Sequence, residues 1–433
     1  MNWKRFLVVM FALLAVLSLG STRVAAQTTV SQGSIQGTIT DPTGAVVPNA
    51  KVTFTNKATG DTTSVTSNAS GFYNSGGLLP ADYVVRVEAA GFQSVVETIT
   101  VQVVQTATGN FKLSVGQGST VVEVQSSTNT INTEQATVQG TISGEQIDNL
   151  PVNGRNFLDL AQLEPGVQLQ DGQGFDPTKA GYSSVSINGV FGRTPRIEVD
   201  GLDVSDETVG TTTENIAMSS IEEFSISRSM LDLSTELTAS GAVNVATRSG
   251  SNAFHGLAFY NFRDERAGFA NLPGGQDLPF QRNQYGGRFG GAFIKDKLFF
   301  FLDTERIQQN SLLAVAVGDP FQALSGGFSS PFRSTQTTAR LDWQALPSVR
   351  VFYKFTYDWN ISNSNAFAGG YSIYSNKDNT PAQAVGVDWN KGSWSNSFRF
   401  GYLKFHNIIG GGTGTTDAGM PETGTATDGG SEQ

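Results

Sequence analysis

Apolar residues recur at every second position through long stretches of the chain. In "VRVFYKFTYDWN", Val349 to Asn360, residues Val351, Tyr353, Phe355, Tyr357 and Trp359 share one side of an extended strand. Phe352, Lys354, Thr356, Asp358 and Asn360 share the other, because successive side chains of a strand point to opposite faces. One side is almost wholly aromatic and the other mostly polar, so the aromatic side must meet either a second sheet or lipid. "QYGGRFGGAFIKDKLFFFLDTERIQQ" predicts a hairpin closing at Lys295-Asp296-Lys297. "TTARLDWQALPSVRVFYKFTYDWN" predicts a second, turning near Leu346-Pro347-Ser348, and "QAVGVDWNKGSWSNSFRFGYLKFHN" a third at Asn390-Lys391-Gly392. Longer connections rich in Gly, Ser, Asn and Pro, such as "RAGFANLPGGQDLPFQRN", separate these hairpins.

Two features favour lipid. A tilted membrane strand needs about 9–11 residues, which Val349 to Trp359 supplies, whereas soluble strands are usually about 5–6 residues long. Short turns alternating with longer connections are also the asymmetry of an outer-membrane barrel. About seven strands are expected between Asn252 and the end, against about 22 in plugged outer-membrane transporters. The closing "GGGTGTTDAGMPETGTATDGGSEQ" is low-complexity loop material without a terminal aromatic strand. Residues 252–433 are therefore expected to be the N-terminal part of a truncated, incomplete β-barrel, and the chain a fragment.

Ahead of that region, residues 32–115 read as short strands with turn signals roughly every 8 to 12 residues, the spacing of a small β-sandwich. "GSIQGTITD" alternates Ile35, Gly37 and Ile39 with polar residues, and "DPTGAVVPNAKVTFTN" adds a turn and a strand with Val52 and Phe54. "SNASGFYNSGGLLPADYVVRVEAAGF" supplies two further strands. Gly37, Asp41, Gly44, Pro48, Ala50 and Val52, followed by Gly71, Phe72, Leu79, Pro80, Tyr83, Val85, Val87 and Gly91-Phe92, resemble the carboxypeptidase regulatory-like family. Ala81 departs from the family's usual Gly. The resemblance implies a transthyretin-like sandwich of about seven strands, serving as a structural spacer or binding carbohydrate; it does not imply peptidase activity.

Residues 119–249 have a different texture. In "LPVNGRNFLDLAQLEPGV", Asn153-Gly154 marks a turn, and Phe157, Leu160 and Leu163 or Ala161 fall on one helical face. Glu164-Pro165-Gly166 should stop that helix after about two turns. The short strands "SVSINGV", "RIEVDGLDVSD" and "SSIEEFSISRSM" follow, and then "ASGAVNVATRSGSNAFHG", whose small residues suit close backbone packing in a confined space. Asp200-Gly201, Ile221-Glu222-Glu223-Phe224 and Gly241 to Gly250 resemble the plug of a TonB-dependent receptor. With the sandwich in front and Asn153-Gly154-Arg155-Asn156-Phe157, the resemblance narrows to the Oar-like branch. It implies a small α+β plug, so the whole reads as an all-β protein of sandwich, plug and incomplete outer-membrane barrel. It also implies that Thr120, Val121, Val122, Glu123 and Val124 are either a TonB box, which adds as a strand to a TonB-type energy-coupling protein, or an ordinary linker strand. Asp200, Asp203, Asp206 and Glu207 lack calcium-loop spacing and read as a solvated plug loop. Arg193, Arg196 and Arg248 are expected to pair with carboxylates of the plug or the barrel wall.

Composition narrows the chemistry. The 433 residues hold 49 Gly, 2 His and no Cys, with 15% charged residues and a net charge of −10. Phosphate neutralisation needs clustered Lys and Arg, so nucleic acid is not an expected partner. No Cys/His metal site or Cys nucleophile can be assembled, and no metal, cofactor or catalytic residue is assigned. Lys4 and Arg5 precede the apolar run "FLVVMFALLAVLSLG" and then "STRVAAQ". That pattern reads as a signal peptide over residues 1–26 with cleavage before Gln27, which exports the chain, and the expected barrel then places it in the outer membrane. Any membrane span beyond it must be a β-barrel.

Three functions stay open. An active importer would bind a siderophore or another scarce ligand from outside and couple to the TonB-type protein, with outer-membrane lipid around its wall. A surface adhesion or glycan-binding protein would use the barrel as an anchor. A secreted hydrolase would have to use His255 or His406, neither of which has a nucleophile elbow nearby. The ligand and its contact residues are not assigned.

Overall fold

The computed structural model describes residues 32–411, apart from 117–121, 125–137, 151, 153, 173–174, 180, 207, 229–237, 239, 268–278, 366–372 and 392–393. The expected leader, the low-complexity end, and Thr120, Val121 and Glu207 lie outside the described residues.

The first unit packs β1 (Ser34–Thr40), β2 (Lys51–Asn56), β3 (Thr62–Thr66), β4 (Phe72–Asn74), β5 (Ala81–Glu88), β6 (Val95–Val101), β7 (Thr106–Thr108) and β8 (Phe111–Lys112) into two sheets. One has the order β4-β1-β7, with β8 also on β1. The other runs β3-β2-β5-β6 and is extended by β9 (Val122–Val124), which lies parallel to β6. Alternation puts Ile35, Ile39, Val52, Phe54, Val85 and Val87 between the sheets, all fully buried. Asp41 closes the first turn by accepting from the Thr43 and Ala45 amides. Gly44, at φ +88, takes the left-handed position that this turn requires.

The second unit begins with β10 (Gln139–Ser143) and α1 (Gly144–Asn149), whose start Ser143 and Gln146 cap reciprocally. It continues through β11 (Val167–Asp171), β12 (Ser183–Ile187), β13 (Arg196–Val199), β14 (Leu202–Asp203), β15 (Ile221–Ser227) and β16 (Ala242–Thr247). Its sheet has the order β10-β15-β16-β13-β14, with β13 and β16 parallel. The helix expected after Asn153-Gly154 is a 3-10 turn, Phe157–Leu163. Phe157, Leu158, Leu160 and Ala161 are buried in it, whereas Leu163, the last residue before the Glu164 cap, is exposed.

The third unit is one antiparallel sheet of long strands. Its members are β17 (His255–Asp264), β18 (Gln281–Ile294), β19 (Leu298–Asn310), β22 (Phe332–Leu346), β23 (Val349–Asn365), β24 (Ile373–Lys391), β25 (Trp394–Leu403) and β26 (Asn407–Gly411). A small hairpin, β20 (Leu312–Val315) with β21 (Gly326–Ser329), rises from the connection between β19 and β22. Neighbours in the chain are neighbours in the sheet, and β25 and β26 both lie beside β24. The described residues therefore form seven columns of strand, and β18, β19, β22, β23 and β24 run 13 to 19 residues each.

This sheet resolves the question raised by Val349–Asn360. Lys354, Thr356, Asp358 and Asn360, with Phe352, are buried, while Tyr353 is 40% exposed. The neighbouring strand repeats the arrangement: Ser334, Gln336, Thr338, Arg340 and Asp342 are buried, and Leu341 and Trp343 are exposed. On β25, Trp394, Phe398, Phe400 and Tyr402 are exposed. The polar face is packed against the second unit and the aromatic face is bare, the reverse of a water-soluble sheet and the alternation of a membrane wall.

Candidate functional site

The inner face of the long-stranded wall is lined with buried charged residues, among them Asp303, Glu305, Arg340, Asp342, Lys354 and Asp358, and the second unit meets it. Asp200 and Gly201 form the two-residue loop between β13 and β14, with φ of +54 and +79. That is the geometry of a type I′ turn, for which Asp-Gly is a favoured pair. The turn aims the Asp200 carboxylate at the wall. There it accepts from Lys354 Nζ at 2.8 Å and Arg340 Nη1 at 3.2 Å, and from the Thr247 amide at 2.9 Å and hydroxyl at 2.8 Å. Arg340 also donates twice to Asp342, which takes a further bond from Arg350. The Arg340 and Arg399 guanidinium groups both lie over the Phe352 ring. Burial alone would raise the Asp200 carboxyl, but Lys354 and then Arg340 outweigh it and hold the group far below the usual carboxylate range.

Three further anchors join the same pair of surfaces. Asp148 on α1 takes two bonds from Arg288 on β18, at 2.8 and 2.7 Å. Arg155, also left-handed at φ +55, pairs with Glu305 at 3.0 Å, while Ser219 donates to Asp303. Asp358 on β23 accepts from the Asn215 amide and the Tyr182 hydroxyl. Together these contacts fill the wall's inner face with polar partners, leaving chemistry suited to holding one body inside another.

The sequence expectations fare unevenly here. Within the acidic cluster, expected as a solvated loop, Asp200 is instead 3% exposed and fully engaged, while Asp203 is exposed and pairs with Arg196, and half-buried Asp206 pairs with buried Lys179. Short acidic stretches look alike whether they face water or a basic wall, and only the register of β22 and β23 distinguishes the two. Arg196 and Arg248 pair as expected with carboxylates of their own unit, Arg196 with Glu198 and Arg248 with Asp148 and Glu222. Arg193 instead lies near the rings of Phe175 and Phe191. The wall-contacting residues Asp148, Arg155, Tyr182 and Glu214, the last accepting from the Thr356 hydroxyl at 2.7 Å, carried no assigned role in the sequence, although Arg155 stands in the recognised Asn-Gly-Arg-Asn-Phe stretch. His255 opens β17 and His406 lies between β25 and β26.

The sandwich closes the end of the wall where its short turns gather. Asn252 donates through its side chain to Thr59 O and Asp296, and its amide donates to Ala58 O. Asn390 donates to Gly77 O across the same junction. On the second unit, Glu223 accepts from the Val103 amide at 3.0 Å, and Val103 and Val104 pack on Ala246. A bulge at Glu222 lets Glu222 meet Arg248 while Glu223 faces Val103. Burial pushes the Glu223 carboxyl up to about 8. Of the candidate coupling segment, Val122, Glu123 and Val124 form β9 on the sandwich edge, away from the anchors just described.

Residues 34–114 match the carboxypeptidase regulatory-like domain, 129–243 the TonB-dependent receptor plug domain, and 246–331 the outer membrane beta barrel domain. The chain is 28% identical over 304 residues to the TonB-dependent transporter Oar of Myxococcus xanthus, a match that covers 66% of this chain and 27% of that protein. It thus spans about a quarter of that relative's length. Among solved structures, the outer membrane transporter YddB from Escherichia coli is similar at a TM-score of 0.49 and 14% identity, over 63% of this chain and 39% of that one. A ferric enterobactin receptor (PfeA) from Pseudomonas aeruginosa in complex with enterobactin is similar at 0.47 and 17%, over 64% and 42%.

Proposed function

We propose that this chain, which carries a carboxypeptidase regulatory-like domain, a TonB-dependent receptor plug and strands of an outer-membrane β-barrel, works in ligand import across the outer membrane. The carrying observation is the wall: aromatic residues outward, charged residues inward, with the inward charges keyed to the plug. A wall that only anchored an adhesin would need no removable body held by ion pairs. Removal of that body by a TonB-type protein on the periplasmic side would open the lumen. The short turns and the sandwich would then face the periplasm, the long connections the outside, and the bare aromatic face outer-membrane lipid. Ala58, Thr59 and Gly77 of the sandwich are engaged with the wall and its approach, which supports a spacer role for that domain.

The test is expression from Met1 through the natural stop codon, followed by membrane fractionation and electrophoresis with and without boiling. An outer-membrane chain that runs faster unboiled and loads ligand only with an intact coupling protein is the expected result. A chain that stays soluble in the periplasm overturns the reading.

A further inference from the structure

The turn between β6 and β7 carries apolar, β-branched residues where a turn facing water carries glycine or polar ones. It runs from Gln102 to Gln105, closed by the Gln105 amide donating to the Gln102 carbonyl, and its two central residues are Val103 and Val104. Val104 sits at φ +57, a position that turns give to Gly or Asn and that strains a β-branched residue. Both valines are buried, yet they stand apart from the sandwich core and pack with Ala246 of the plug. Beside them, the Val103 amide donates to Glu223 Oε1 at 3.0 Å and Gln105 Nε2 donates to Thr141 Oγ1 at 2.9 Å. Thr141, Glu223 and Ala246 belong to β10, β15 and β16, three consecutive strands of the plug sheet. One strained turn of the sandwich therefore grips the edge strand of the plug and the two strands behind it.

We infer that this turn is a bolt, and that the sandwich is an autoinhibitory brace which must undock before the edge strand of the plug can leave. The inference rests on the plug being the removable body proposed above, and it turns a spacer into a gate. The brace has a fixed end. Ala58 and Thr59 are held through Asn252, which also binds Asp296 of the β18–β19 turn, and Gly77 is held by Asn390 and Ser395 at the β24–β25 end. With that end on the wall, the 102–105 turn resists any movement of β10 and β15 away from it. Strained backbone persists where its surroundings over-determine it, and here the plug is part of those surroundings. Moving the plug would uncover two valines and strip the Glu223 carboxyl and the Val103 amide of each other, a cost met before β10 is free.

Turn chemistry supplies variants that keep the sandwich and remove the bolt. Val103→Pro suits the second position of such a turn and takes away the amide that Glu223 accepts. Val104→Asn suits the left-handed third position and removes the apolar tip. The full chain carrying both, in liposomes without ligand or coupling protein, is compared with the parent by hydrogen exchange. Amides of β10 and β15 are expected to exchange about tenfold faster or more, with β2 and β5 of the sandwich and β13 of the plug unchanged. No change at β10 and β15 overturns the inference. An equal acceleration across the whole plug also overturns it, because the turn then braces no particular strand. If the sandwich amides themselves quicken, Thr141→Val with Glu223→Leu removes both acceptors from the plug side and leaves the sandwich unaltered. The same selective acceleration is then expected, and its absence overturns the inference. Import plays no part in this readout, so failure of the brace and failure of the import reading are separate results.

Discussion

Replacing Asp200 by asparagine tests the anchor at the centre of the plug. Asparagine keeps the size of the side chain and one oxygen for the Thr247 amide, but removes the charge that faces Lys354 and Arg340. Arg340 retains its paired bonds to Asp342, so most of the damage falls on Lys354, which is left with Glu214 as a nearby charge rather than a bonded partner. An uncompensated buried charge costs about 3–5 kcal/mol, which corresponds to roughly two to three and a half orders of magnitude in the population of the released plug. Hydrogen exchange at the amides of β13, β14 and β16, measured on the membrane-embedded chain, reads that population directly. Adding Lys354→Met should recover at least half of the loss, because removing both charges is far less costly than removing one. Exchange in Asp200→Asn within about threefold of the parent would refute the anchor, as would a double variant no better than the single one.

Glu223→Gln probes the seam between sandwich and plug. Because burial lifts the Glu223 carboxyl to about 8 in the folded chain against an ordinary 4.5, the native state holds the extra proton between those values. Its contribution is complete below about 4.5 and is lost as pH rises through about 8. The difference in urea midpoint between parent and Glu223→Gln should therefore shift across that window in favour of the variant at high pH; a difference independent of pH contradicts the assignment. Leu341→Arg puts a charge on the bare outer face and should cost about 2–4 kcal/mol near the bilayer midplane, read as a lower folded fraction in liposomes. An unchanged fraction would mean that this face does not meet lipid. Gly201→Ala should cost about 1–2 kcal/mol, since an L side chain at φ +79 is strained, and should speed exchange in β13 and β14 without altering the sandwich.

The three-unit order was legible because each unit carries its own period and punctuation. Strict alternation marked the wall, turn residues marked the sandwich, and Asp200-Gly201 helped to carry the plug resemblance, though only the structure makes it a hairpin turn. What escaped was contact between units. Nothing local distinguishes Asp200 from Asp203, yet one is buried against Lys354 and Arg340 and the other sits near the surface. The partners lie 140 and 154 residues apart, and only the register of β13 against β16, and of β22 against β23, brings them together. Of the two positions offered beside Phe157 and Leu160, Ala161 is buried and Leu163 is not, because Leu163 is the last residue before the Glu164 cap. Glu223 was hidden because the partner of its carboxyl is a backbone amide of another domain.

The order of anchors along the chain bears on how a pull would act under the coupling reading. A force applied at β9 reaches the plug through β10, which is the outermost strand of its sheet and is paired on one side only. An edge strand can leave without breaking the rest of the ladder. Next along the chain comes α1, whose Asp148 meets Arg288 through two bonds with 27% of its side chain exposed, nearer to water and so more readily screened than the anchors that follow. Arg155 with Glu305 follows, at 17% and 1% exposed, and then Asp200 with Lys354, at 4% each. The contacts thus become more deeply buried with distance from the point of attachment. A modest pull would free β10 and α1 while Asp200 still holds β13 and β14 to the wall, so partial extraction is favoured over ejection of the whole plug.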